Sequence, residues 1–118
     1  MNEYNLKLLF EKYQTPLYVF DLDQLKDRVH YLRSSLPKRV ELCYAMKANP
    51  FLVKELENVV DKLEVCSPGE YYICENQQIS VDKLVISGVY KTPSAIEDML
   101  ENGTRVFTIE SMNQFDLM

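Results

Sequence analysis

Arg39-Val40-Glu41-Leu42-Cys43-Tyr44-Ala45-Met46-Lys47-Ala48-Asn49-Pro50 is the stretch whose reading decides the fold. Apolar and aromatic residues dominate positions 40 to 46, the pattern of a buried strand. Lys47 closes that strand. Asn49 and Pro50 then open a helix at once, as N-cap and first residue. Side chains alternate between the two faces of a strand. Cys43, Ala45 and Lys47 therefore share one face, and Val40, Leu42, Tyr44 and Met46 share the other. The bulky set is expected to pack beneath helices, and the small set to leave room above it. Lysine is among the side chains least often fully buried. At such a strand end it either snorkels to solvent or has a chemical task. Parallel α/β folds place their sites at this end of their strands.

The same strand-then-helix unit recurs downstream. The Asn49-Pro50 helix is expected to run to about Val60, burying Leu52, Val53, Leu56, Val59 and Val60. Leu63-Glu64-Val65-Cys66 reads as the next strand, and Ser67-Pro68-Gly69-Glu70 opens a helix with the spacing of a capping box. Leu84-Val85-Ile86-Ser87 is a third strand. Thr92-Pro93 starts its helix, with Ile96, Met99 and Leu100 facing inward and Gly103 ending it. Arg105-Val106-Phe107-Thr108-Ile109 is a fourth strand, and Ser111 with Gln114 repeats the capping box. The strands begin near 40, 62, 84 and 105, spacings of 22, 22 and 21 residues. Such alternation predicts a parallel sheet with right-handed crossovers.

Upstream, Leu6, Leu9, Phe10 and Tyr13 mark one face of a helix over residues 4 to 13, which Thr15-Pro16 ends. Pro16 to Phe20 reads as a strand. Asp21 or Asp23 caps a second helix striped by Leu22, Leu25, Val29, Leu32 and Leu36, with His30 off the stripe and expected in solvent. This divides the chain into a lead-in over residues 1–37 and an α/β unit over 38–118. An open four-stranded doubly wound sheet fits the length. The alternative is the first half of a (β/α)8 barrel, which in full needs about 250 residues. The sequence also stops just inside a capped helix. The reading is therefore the front part of a longer protein, which would self-associate if studied alone because its sheet edges are open.

With 118 residues, 47% hydrophobic and 26% charged, the chain can bury a core. Its net charge of −5 speaks against nucleic-acid partners. No apolar run approaches a membrane span, and Met1 to Asn5 lack the basic start of a secretion signal, so a cytoplasmic location is expected. Three cysteines without Cys-x-x-Cys spacing and a single histidine leave no metal site in view. Neither Gly-x-Gly-x-x-Gly nor a Walker loop occurs among the three glycines. Lys47 either snorkels out at the strand end or, where desolvation or cationic neighbours keep its amine neutral, can attack carbonyls in the manner of Schiff-base lysines.

Tyr44-Ala45-Met46-Lys47-Ala48-Asn49-Pro50 resembles the pyridoxal-phosphate lysine motif of the barrel-type (fold type III) amino-acid decarboxylases, which include diaminopimelate and ornithine decarboxylases. Thr15-Pro16-Leu17-Tyr18-Val19-Phe20-Asp21 resembles the "TPLYVYD" opening of that family. Glu64 to Glu70 resembles its "DVVSGGEL" segment, and Ile86 to Thr92 its "GNNKS" segment. The resemblance implies a (β/α)8 barrel in which Lys47 forms the internal aldimine. It further implies that Glu64, Ser67 and Glu70 lie near the cofactor. Glu64 stands where many relatives have aspartate; it either tunes the aldimine or is a solvated strand-end carboxylate. Ser67 and Glu70 equally suit the capping box. Gly88 and Lys91 match by position and are assigned to a loop.

The family implies, too, that Leu17 to Phe20 belong to a second, β-rich domain completed by the C-terminal part of the chain. The expected function is amino-acid decarboxylation on a diaminopimelate-like or other diamino-acid substrate, by a homodimer. An amino-acid racemase, a non-catalytic pyridoxal-phosphate carrier, and a small α/β binding domain with no cofactor are the alternatives.

Overall fold

A computed structural model describes residues 3–118. Met1 and Asn2, where the N-terminal reading begins, lie outside the described residues. Helix α1 spans Glu3–Lys12 and α2 spans Leu22–Ser35. Asp21, not Asp23, caps α2, with its carboxylate accepting from Gln24 N at 3.1 Å. Of the expected α2 stripe, Val29 is buried and Leu25 packs on the core, while Leu32 and Leu36 remain exposed. In α1, Leu6 and Leu9 are half-buried, but Phe10 and Tyr13 are exposed. His30 lies in solvent.

Residues 17–20 do not form the expected strand. A strand needs a ladder partner, and the three-stranded sheet elsewhere in the chain does not reach this segment. Its rings instead gather beside the Asn49-Pro50 turn, with Tyr18 and Phe20 at 6.2 and 6.3 Å from the Phe51 ring.

The sheet consists of β1 (Cys43–Ala45), β2 (Lys62–Val65) and β3 (Leu84–Ile86), in the order β1-β2-β3 and parallel throughout. The fourth expected strand is reduced to one parallel bridge, Ile86 to Phe107. It is held by Ile86 N donating to Val106 O (2.9 Å) and Thr108 N donating to Ile86 O (2.8 Å). Consecutive order with parallel pairing is how a (β/α)8 barrel begins, whereas a doubly wound sheet reverses its order.

Between the strands lie α3 (Val53–Leu56), α4 (Pro68–Asn76), α5 (Pro93–Glu101) and, after the bridge, α6 (Met112–Asp116). The helix expected to reach Val60 is a 3-10 turn, Pro50–Leu52, followed by the four residues of α3. Val53, Leu56 and Val60 are still buried, so the apolar spacing was satisfied by a shorter element. In α5, Ala95, Ile96 and Met99 face inward and Leu100 does not.

The core lies between the sheet and these helices. Leu63, Val65, Leu84 and Ile86 supply the helix-facing side of β2 and β3, each at 2% exposure or less. The opposite side carries Cys43, Ala45, Lys62, Glu64 and Val85, which are exposed or half-buried. The face assignment holds over Cys43–Ala45, with Leu42, Tyr44 and Met46 packed on the core side, but not at its ends: Val40 lies outside the strand at 36% exposure, and Lys47 lies in the turn beyond it.

Asp61 fastens the entry to β1 and β2. Its Oδ2 accepts from Leu42 N (2.6 Å) and pairs with Arg33 of α2 (2.6 Å). The Leu42 amide first, and Arg33 second, hold its carboxyl below the usual value of 3.8. A depressed carboxyl contributes stability that is complete above the unfolded value and is lost as pH falls through the folded one. Asp61→Asn is therefore expected to cost about 1 kcal/mol at neutral pH, both partners being partly solvated. The cost should begin to shrink as pH falls below the unfolded carboxyl value of about 3.9 and continue to shrink through the lower folded one. Urea midpoints for parent and variant at pH 7 and pH 3 check this; equal differences at both would contradict it.

Candidate functional site

Lys47 does not end the strand. It sits in a 3-10 turn, Met46–Ala48, directly after β1. Met46 is fully buried and plugs the turn into the core, where it accepts the Cys74 thiol at 3.5 Å. Burial pushes the Cys74 thiol up to about 11, so it stays protonated and able to donate. On the other side, Tyr44 Oη donates to Asn49 O at 2.9 Å, and Asn49 Oδ1 accepts from Phe51 N at 3.2 Å. The turn is held on both flanks while Lys47 projects from it. The side chain is exposed, and among the described residues it has no hydrogen bond or ion pair.

Glu64 is in register with Ala45 on β1 and Val85 on β3, on the open face. Its Oε1 accepts from Ser87 Oγ at 2.9 Å. Ser67 caps α4, its Oγ accepting from Glu70 N at 3.3 Å. Glu70 Oε2 accepts from Cys66 N at 2.8 Å, one residue before the cap. Ser67 caps the helix as the capping-box reading required, whereas Glu70 reaches one residue further back, to the Cys66 amide rather than that of Ser67. Ser67→Ala is expected to lower stability by about 1 kcal/mol, the ordinary worth of an N-cap hydroxyl, in urea unfolding.

Three of the four sequence-derived residues, Glu64, Ser67 and Glu70, gather at the end of β2. Lys47 follows the neighbouring strand, and its turn packs against β2. Ser87 is the residue the sequence reading passed over. Its signal was position: a small hydroxyl at the end of an apolar strand, in the same rhythm that places Glu64 and Cys66.

The loop after β3 is tied down by Lys91. The side chain is only 2% exposed, and Nζ donates to Gly88 O and to Gln114 Oε1 (3.4 Å), with the Glu110 carboxylate at 3.9 Å. Gln114 Nε2 in turn donates to Val89 O at 3.1 Å, and Gly88 N donates to Glu110 Oε1 at 2.7 Å. The loop assignment of Gly88 and Lys91 therefore stands. Among the described residues no group of acidic, histidine or cysteine side chains is placed to hold a metal. No helix of the described residues is long and apolar enough to cross a membrane.

Lys47 thus presents an accessible amine from a hydrogen-bonded turn, with Glu64 on the neighbouring strand in register with Ala45, and comparison with known proteins names the class. Residues 22–118 match the family described as pyridoxal-dependent decarboxylase, pyridoxal binding domain. The chain belongs to that family. It is 33% identical over 116 residues to a diaminopimelate decarboxylase of Aquifex aeolicus, covering 97% of this chain and 27% of that protein. The crystal structure of a lysine decarboxylase from Selenomonas ruminantium superposes with a TM-score of 0.85 at 25% identity, covering 98% of this chain and 32% of the other. A structure of SrLDC in complex with PLP and cadaverine gives the same TM-score and identity, covering 98% and 31%. The chain thus spans about a third or less of the relatives it matches, and its α/β architecture is that of their N-terminal barrel portion.

Proposed function

We propose that the chain is the N-terminal part of a pyridoxal-phosphate-dependent amino-acid decarboxylase, with Lys47 as the residue that carries the cofactor. The observation that supports this most directly is the exposed, unpartnered Lys47 amine, held in a rigid turn at the C-terminal end of β1 in a chain of the pyridoxal-binding family. Lys47 would hold the cofactor covalently through its side-chain amine. Held there, the cofactor would supply an electron sink for the bond to the departing carbon dioxide. Glu64 presents a negative charge on the next strand, suited to keep a proton on the lysine nitrogen. Ser67 and Glu70 fix the start of α4 and border the same end of the sheet.

The substrate in this reading is a diamino acid, of the diaminopimelate or lysine/ornithine kind named for the relatives. Residues 1–37 serve as a lead-in and 38–118 as the first part of the barrel. The active species is a cytoplasmic homodimer.

Trapping tests the assignment. The full-length protein is incubated with pyridoxal phosphate, reduced with borohydride and mapped by mass spectrometry. The adduct is expected on Lys47, and its absence there overturns the proposal. Carbon dioxide release from diaminopimelate, lysine and ornithine then ranks the substrates.

A further inference from the structure

Ser87 lies just past β3 and is 6% exposed. Its backbone is locked from two sides. Ser87 N donates to Val65 O at 2.8 Å, and the next residue, Gly88, lies directly on the Cys66 backbone. The hydroxyl therefore sits at a fixed place between two partners, Glu64 Oε1 at 2.9 Å and Cys66 Sγ at 3.2 Å. A carboxylate can only accept and a hydroxyl has one proton. That proton goes to Glu64, so the Cys66 thiol must be the donor into Ser87 Oγ. The three side chains form a directed chain, thiol to hydroxyl to carboxylate, that ends on the open face of the sheet.

Glu64 Oε2, by contrast, has no hydrogen-bond partner among the described residues. Compared with an aspartate, glutamate carries one more rotatable bond, and an untethered glutamate at a strand end turns toward water. The hydrogen bond from Ser87 removes that freedom while leaving one oxygen open. Glu64 pairs with Ala45, two residues before Lys47.

We propose that Ser87 is a positioning residue. Its hydroxyl holds Glu64 Oε1 so that Oε2 is left free to accept at the Lys47 end of the sheet, where a cofactor held by Lys47 would lie. This rests on the cofactor assignment to Lys47. Ser87 itself touches neither cofactor nor substrate; it acts through Glu64.

The test uses the full-length protein and two readouts other than turnover. One is the dissociation constant for pyridoxal phosphate by fluorescence titration. The other is the absorption spectrum of the lysine-bound cofactor, which reports protonation of the lysine nitrogen. Ser87→Ala is expected to weaken cofactor binding about tenfold, the scale of one hydrogen bond to a charged group, and to diminish the protonated band. Ser87→Thr, which keeps the hydroxyl, restores both. Ser87→Cys fills the same space with a weak donor and behaves as the alanine variant does, so the test survives if alanine fails to fold. In a Glu64→Ala background, Ser87→Ala has no further effect. Parent-like binding and spectrum in both the alanine and cysteine variants overturn the proposal. So does a full additional loss in the Glu64→Ala background, which would mark a purely structural role. Borohydride trapping separates the two levels: an adduct on Lys47 with an indifferent Ser87 sinks only this inference, and no adduct on Lys47 in the parent sinks both.

Discussion

Gly88→Ala is expected to lower the unfolding free energy of the protein by about 3 kcal/mol or more. Two independent penalties meet at this residue. Its φ is +86°, a region that side chains with a Cβ rarely adopt. An added Cβ would also stand 2.5 Å from Cys66 O and 3.2 Å from Cys66 C and Cα. All three contacts are backbone, so no rotamer change relieves them. The clash can be relaxed only by parting the end of β3 from the end of β2. That movement strains Ser87 N to Val65 O and the Gly88 amide to Glu110. It also withdraws the Ser87 hydroxyl from Glu64, so cofactor affinity should fall along with stability. Urea unfolding of the full-length variant measures the first effect. A loss under 0.5 kcal/mol, on the scale of an ordinary surface substitution, would show that the loop yields without cost.

Lys47→Ala is expected to do the reverse, removing chemistry and sparing the fold. The side chain is exposed and unpartnered, so its loss should change stability by no more than about 0.5 kcal/mol. Covalent attachment of pyridoxal phosphate should vanish, and carbon dioxide release should drop by on the order of 10³ or more, as when a covalent nucleophile is deleted. Lys47→Arg should behave alike, because a guanidinium stays protonated and cannot condense with the aldehyde. Reduction with borohydride followed by peptide mapping, beside a melting curve, reads both halves. A variant that still traps the cofactor on the same peptide would move the assignment to another amine.

Much of this arrangement was legible in the residues. Ser67-Pro68 and Thr92-Pro93 marked helix starts because capping is local, requiring only three or four consecutive residues. Leu84 to Ile86 read as a strand because it runs apolar between turn signals, and Leu63-Glu64-Val65 because apolar and polar residues alternate there. The faces of β1 followed from alternation alone. Non-local pairing was not legible. Tyr18-Val19-Phe20 has the composition of a strand, but a ladder is made by two segments and no sequence window contains both. Phe107 pairs through a single bridge for the same reason. Lys47 was placed at a strand end because a three-residue 3-10 turn is too short to leave a period of its own. At the candidate site, the lysine and its neighbouring carboxylate were legible as residue types. The Ser87 contact was not, since it joins side chains 23 positions apart.

The buried Lys91 gives the molecule a reporter of its own. Amine-reactive acylating agents modify lysines that reach solvent; Lys47 is exposed, whereas the Lys91 side chain is only 2% exposed. Lys91 becomes reactive only when its hold on Gly88 and Gln114 is released. Its labelling rate is therefore a clock for opening of the β3 loop, read on the same digest in which Lys47, as the proposed anchor, would record occupancy by cofactor. Protection of Lys47 without change at Lys91 would register ligand alone. Simultaneous exposure of both would register breathing of the whole rim.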